Sequence, residues 1–234
     1  MAKKRRSAFL RRQKIALGTV AAVILGIVAW LAMIVIRDAP MGEFEPGEHY
    51  TVLEDPRRIR GDKIEIMEFF SYGCIHCYNF DPDLEDWVAE QGDTIDFVRT
   101  PAFASEQWRL LGRTYYAMQE LDILEENHYR LFRSIHDGGM SLSSANQLAR
   151  WIDGNGATAE EFRSAYNSPA VDTRVRSADQ LGRRMKVSSV PTIIVNGKYR
   201  VGMTRTVGPS RMLEVMDHLV DKELQARESG AGGT

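Results

Sequence analysis

The spacing of apolar residues changes period twice along the 234-residue chain, from strand to helix and back. Ile64-Glu65-Ile66-Met67-Glu68-Phe69-Phe70 is an apolar run broken only by Glu65 and Glu68, the pattern of a central strand. From Ile75 the period becomes helical, with Phe80, Leu84, Trp87 and Val88 on one face and Pro82 set to kink it. Thr94 to Thr100 reads as the next strand, stopped at Pro101. Helical spacing then holds over 106–124, with Leu110, Leu111, Tyr115, Met118 and Leu121, and over 125–135, with Tyr129, Leu131 and Phe132. Ser143 to Ile152 forms a shorter helix, capped by Ser143 or Ser144 and closed by Gly154 and Gly156. Thr158 and Glu161 have capping-box spacing, Asn167-Ser168-Pro169 breaks that helix, and Val171 to Lys186 forms another. Strand character returns at 192–195, turns at Asn196-Gly197 and continues over 198–201 as a hairpin. Residues 209–227 close the pattern as an amphipathic helix carrying Leu213, Met216, Leu219 and Val220.

A short strand over Tyr50–Leu53 completes the set, and no internal repeat is visible. Strands flank roughly 80 helical residues, which describes an α/β domain interrupted by an α-helical insertion, not two tandem domains. The boundaries are 48–103 for the first part, 104–186 for the insertion and 187–227 for the second part. The Gly-rich 228–234 is expected to be a disordered tail.

The charge distribution adds a segment that this pattern does not contain. Lys3, Lys4, Arg5, Arg6, Arg11, Arg12 and Lys14 make 1–14 a basic tail without an acid, leaving the rest at a formal −9. Nothing there calls for nucleic acid. Ile15 to Ile36 is 22 uncharged residues, about 33 Å as a helix against a bilayer core of about 30 Å. A cleaved signal has a shorter apolar region and a small-residue cleavage site, and Arg37-Asp38-Ala39-Pro40 is a poor one. The expectation is one retained transmembrane helix over 15–36, its basic end cytoplasmic and the body exported; cleavage to a soluble periplasmic form is the alternative. Residues 37–47, with Pro40, Gly42, Pro46 and Gly47, read as the linker.

The chemistry is concentrated after the central strand, in Ser71-Tyr72-Gly73-Cys74-Ile75-His76-Cys77, which holds the chain's only two cysteines. Strand, tight turn and helix put both thiols on the first helical turn, where unpaired N–H groups favour Cys74 as thiolate. Cys74 is the expected nucleophile, and Cys77, one turn in, the resolving thiol. His76 between them stabilises the anion further. A zinc site would need two more ligands, covalent haem would need His where Tyr78 stands, and a structural bridge would close too small a loop to stabilise much. No metal or other cofactor is expected.

A second motif is Val190-Pro191, immediately before the strand at Thr192. FFSYGCIHCYNF together with VSSVPTIIVNGKYRV resembles the DsbA family of thioredoxin-fold disulfide oxidases over roughly residues 48 to 226. The resemblance implies a cis Val190-Pro191 bond in a loop that packs on the dithiol and holds substrate backbone. It also implies that Glu68 is a buried acid relaying protons. The partners it implies are exported proteins with free cysteines and a DsbB-like, quinone-linked membrane oxidase that restores the disulfide at the inner membrane; a monomer is expected. Ile75 stands where the best-known member has Pro, which leaves the strength of oxidation open. Asp81 reads as a solvated helix residue, and His49, His128, His136 and His218 as surface or packing. Tyr72, Trp108, Tyr115, Tyr116 and Met118 have the spacing of core as well as of a groove. Rival functions are a reductase or isomerase on the same fold, a tethered thioredoxin of cytochrome maturation, and a peptide-binding chaperone module. Gly73 speaks against the second, which carries Trp before its first cysteine.

Overall fold

The computed structural model describes residues 44–231. Strands β1 (Thr51–Val52), β2 (Ile64–Phe70), β3 (Ile95–Pro101), β4 (Thr192–Val195) and β5 (Tyr199–Gly202) form one sheet in the order β1-β5-β4-β2-β3. β2 and β3 are parallel and joined by helix α1 (Ile75–Gln91). β4 runs antiparallel to β2 and pairs Thr192 with Phe69, which brings the Val190-Pro191 loop to the C-terminal end of β2. The β4–β5 hairpin turns through Asn196 (φ 48°) and Gly197 (φ 64°), as a tight two-residue turn demands. A Cβ at Gly197 would also lie 2.3 Å from the Arg57 carbonyl oxygen, so this position tolerates only glycine.

Between β3 and β4 lie α2 (Glu106–Glu120), α3 (Leu124–His136), α4 (Ala145–Ile152), α5 (Ala159–Tyr166) and α6 (Pro169–Arg184), and α7 (Pro209–Ala231) closes the domain. Their starts are written locally. Ser105, Ser144 and Ser168 accept a backbone N–H from the first turn of α2, α4 and α6. Thr158 and Glu161 form a complete capping box on α5.

Every residue of β2 is buried, and its alternation divides the core. Ile64 and Ile66 meet Phe80 and Leu84 of α1 and Met212, Val215 and Leu219 of α7. Met67 and Phe69 meet Ile194 and Met185 on the other face. The insertion has its own core of Leu111, Met118, Leu131, Phe132, Leu148 and Phe162, which Phe70, Tyr72 and Cys77 join. The dithiol therefore sits at the seam between the sheet domain and the inserted helices.

Most element ends shift by one or two residues from the sequence reading, and at both ends of the described domain the difference is larger. Phe44 is buried against His49 and His218, so packed structure reaches into the expected 37–47 linker; aromatic packing there outweighs the turn-forming Pro46 and Gly47. α7 runs on to Ala231, past the expected end at Arg227 and into the expected tail. Arg227 anchors that last stretch by donating to the Asp62 and Lys63 carbonyls. The expected transmembrane helix over 15–36 lies outside the described residues. Among the described residues, no helix is long and apolar enough to cross a membrane.

Candidate active site

The turn between β2 and α1 is pinned by Ser71, whose carbonyl accepts the Cys74 N–H at 3.0 Å and whose hydroxyl accepts the Gly73 N–H at 3.2 Å. Cys74 is the N-cap of α1, and its thiol makes no capping hydrogen bond, unlike the Ser and Thr caps elsewhere. The free N–H groups of that turn are thus left to stabilise an anion on the sulfur. The Cys77 thiol hydrogen bond is the largest influence on Cys74. Partial burial opposes it, and the backbone N–H groups of Cys77 and His76 reinforce it, with a smaller share from the exposed His76 ring. Together they bring the Cys74 pKa down to about 6. Cys77 is fully buried, and burial, its hydrogen bond to Cys74 and the charge of Glu68 push its pKa far up. Three residues apart, one thiol is prepared to be a thiolate and the other to remain protonated.

Across from Cys74, the Val190-Pro191 bond is cis, and the Val190 carbonyl accepts the Cys74 thiol at 3.5 Å. Pro191 is buried and Val190 half-buried, so the loop offers backbone rather than side-chain chemistry to the cleft.

Beneath the dithiol lies a buried polar network. Glu68 on β2 is 1% exposed and accepts from Arg99 Nε of β3 at 3.0 Å. The same guanidinium donates to Asp81 Oδ1 at 2.9 Å and pairs with Glu85 at 2.5 Å, both on α1. One cation thus serves three carboxylates. Burial dominates at Glu68 and raises its pKa to about 7 despite Arg99. His128 of α3 extends the chain, with Nε2 at 3.1 Å from Asp81 Oδ1 and Nδ1 at 2.7 Å from the Tyr72 hydroxyl. Burial lowers the His128 pKa and keeps the ring neutral, so Nε2–H donates to Asp81 and Nδ1 accepts from Tyr72. Two turns further along α3, His136 Nε2 donates to the Tyr72 carbonyl at 2.9 Å. The insertion therefore grips the dithiol turn by both the side chain and the backbone of Tyr72.

The structure brings Cys74, Cys77, His76, Glu68, Val190 and Pro191 to one place. It corrects the readings of their neighbours. Asp81 is 3% exposed, not solvated, because it lies four residues from Cys77 on the inward face of α1 and is offset by Arg99 and His128. His128 and His136 are neither surface nor mere packing. Tyr72 is 1% exposed, and Tyr116 and Met118 are core, one of the two readings their spacing allowed; Tyr115 is buried but also borders a cavity with Arg99 and His128, while half-buried Trp108 flanks the cleft. Arg99 was missed altogether. A lone cation inside the strand TIDFVRT was the available signal, since an inward-pointing guanidinium needs buried carboxylates.

A thioredoxin-type sheet with a thiol pair at the β2–α1 turn and a cis-proline opposite defines a thiol–disulfide exchange protein. Residues 83–220 match the model of the DSBA-like thioredoxin domain. The thiol:disulfide interchange protein DsbA of Pseudomonas syringae pv. tomato is 34% identical over 187 residues, covering 79% of this chain and 87% of the relative. That of Burkholderia cepacia is 33% identical over 184 residues, covering 78% and 86%. The crystal structure of Pseudomonas aeruginosa DsbA superposes with a TM-score of 0.75 at 32% identity, covering 79% of this chain and 97% of that one. The chain belongs to the DsbA family and is a protein thiol:disulfide oxidoreductase.

Proposed function

We propose that the chain works in the oxidising direction, donating the Cys74–Cys77 disulfide to exported proteins. The observation that carries this is the opposed state of the two thiols: a Cys74 pKa of about 6 beside a Cys77 held protonated. A stabilised thiolate favours the reduced form, and a disulfide whose reduced form is favoured is an oxidant.

In the first step a substrate thiolate attacks Cys74 Sγ. The Cys74–Cys77 bond breaks, its electron pair leaves on Cys77, and a mixed disulfide forms at Cys74. Cys77 takes up a proton from Glu68, whose pKa of about 7 lets it donate and recover protons near neutrality. In the second step another substrate thiolate attacks the substrate sulfur and expels Cys74 as its stabilised thiolate. Two electrons pass from substrate to protein, and the two sulfurs suffice without a cofactor. Val190-Pro191 holds the substrate backbone meanwhile, and His76 supports the Cys74 anion. A DsbB-type quinone-linked oxidase re-forms the disulfide.

The body works in the periplasm, tethered by the 15–36 segment at the inner membrane; the uninterrupted apolar length of that segment supports a retained helix over a cleaved signal. Membrane fractionation with N-terminal sequencing separates the two.

The deciding experiment is the equilibrium reduction potential, titrated against glutathione. Benchmarks near about −120 mV for an oxidant and −270 mV for thioredoxin come from other proteins, not from this geometry. A value above roughly −170 mV is expected. One below roughly −220 mV would make the protein a reductant. Cys74→Ser should abolish exchange; a chaperone module would retain its activity in that variant.

A further inference from the structure

The peptide unit just before Cys74 joins Tyr72 to Gly73, and packing does little to hold it. A side chain at position 73 would press on Trp108, whose Nε1 lies 3.2 Å from where a Cβ would stand, so the turn takes glycine there. Glycine has the freest backbone of any residue, and this peptide is fixed by hydrogen bonds instead. Ser71 supplies the local ones: its hydroxyl takes the Gly73 N–H and its carbonyl the Cys74 N–H. The Tyr72 carbonyl, at the other end of the same peptide plane, is held from outside the turn, by His136 Nε2 at 2.9 Å.

His136 is itself fixed. Its ring lies on that of Tyr78, with centroids 5.1 Å apart and planes within 12°. Tyr78 stands one turn after Cys74 on α1, and its N–H donates to the Cys74 carbonyl at 3.1 Å. Its hydroxyl donates to Asp137 at 2.7 Å, and its ring also meets Tyr129 and Phe132 on the same face of α3. The end of α3 therefore spans the dithiol turn, holding the residue two before Cys74 and the residue four after it. A carbonyl only accepts, so Nε2 carries a proton in either charge state of the ring.

We infer that His136 is a positioning residue for the Cys74 thiolate: by fixing the Tyr72–Gly73 peptide, it sets where the sulfur stands relative to the N–H groups of His76 and Cys77. His136 acts through the backbone, not on the sulfur. The inference rests on Cys74 as the reacting anion. Hydrogen bonds weaken steeply as they lose alignment, so a loosened turn costs the thiolate its donors. The disulfide carries no charge and loses nothing comparable, so the balance moves away from the reduced form.

Two substitutions in the full chain separate the donor from the ring. His136→Phe keeps a ring to lie on Tyr78 but has no N–H to give. His136→Gln has no ring but carries an amide N–H at a reach close to that of Nε2. The readouts are the Cys74 thiolate midpoint of the reduced protein and the equilibrium constant with glutathione. Thermal unfolding of the oxidised form reports the fold. His136→Phe should move the equilibrium about fivefold toward the disulfide, about 20 mV for a two-electron couple, and raise the midpoint by about 0.7 of a pH unit. His136→Gln should return both most of the way to wild type. A His136→Phe variant that titrates and equilibrates like the wild type overturns the positioning role. So does a shift that persists undiminished in His136→Gln, which would assign the effect to packing. A wild-type midpoint at the ordinary thiol value sinks the thiolate reading, and the positioning role with it.

Discussion

Two buried glutamates mark opposite ends of the sheet, and the same residue type is used in opposite ways. Glu223 of α7 is 3% exposed near the hairpin turn, where Lys198 Nζ donates to it at 2.6 Å and the Asn196 amide donates as well. Burial alone would raise its pKa, but Lys198, Asn196 and Tyr199 outweigh burial and lower it. Glu68, under the dithiol, shares Arg99 with Asp81 and Glu85 and is raised to about 7. A cation and neutral donors given to one carboxylate make a structural anchor. A cation divided among three carboxylates leaves the most buried of them able to titrate near neutrality, as the proposed proton carrier must.

Removing each cation tests that contrast most strongly. Arg99→Leu strands two buried carboxylates and should destabilise by about 3–5 kcal/mol at neutral pH. The loss should shrink in acid as the carboxylates protonate. Lys198→Leu should cost about 1–2 kcal/mol, since Lys198 is half exposed and Asn196 still donates to Glu223. Urea unfolding of both variants measures this, and an equal or larger loss at Lys198 breaks the comparison.

The pH dependence of stability should then separate the two glutamates by sign. Glu68, raised, contributes stability in the folded state below the usual carboxylate range that is lost as pH rises toward about 7. Glu68→Gln should remove that decline. Glu223, lowered, contributes stability above the usual range that is lost as pH falls. Glu223→Gln should remove the loss on the acid side. Denaturant midpoints between pH 3 and 8, taken as about one point per unit, show whether the slopes change in opposite directions.

The thiols sharpen the picture at the reacting atoms. In the reduced protein, thiolate absorbance or iodoacetamide reactivity should titrate with a midpoint of about 6 from Cys74 alone. Because that pKa is depressed, the reduced form gains stability above the ordinary thiol range and loses it as pH falls through about 6. The gap in Tm between reduced and oxidised protein should therefore narrow in acid. A midpoint near 8.5, the ordinary thiol value, would remove the basis for an oxidising dithiol. The gentlest probe is Tyr72→Phe, which leaves His128 Nδ1 without its donor and should cost about 1 kcal/mol in thermal or urea unfolding.

The sequence by itself determined the strand–turn–helix that carries Cys74 and Cys77, the hairpin at Asn196-Gly197 and the helical insertion; the meeting of the dithiol with Val190-Pro191, 116 residues away, was implied only by the family resemblance. The first three are local: periodicity, turn chemistry and capping act over a few residues, and Ser105, Thr158 and Ser168 cap the helices they precede. Only the tertiary structure decided which polar residues work together. Arg99, Asp81 and His128 lie on three elements, and nothing local in the sequence joins them. What turns them into one network under the dithiol is burial, because a charge taken out of water must find its partners wherever the fold places them.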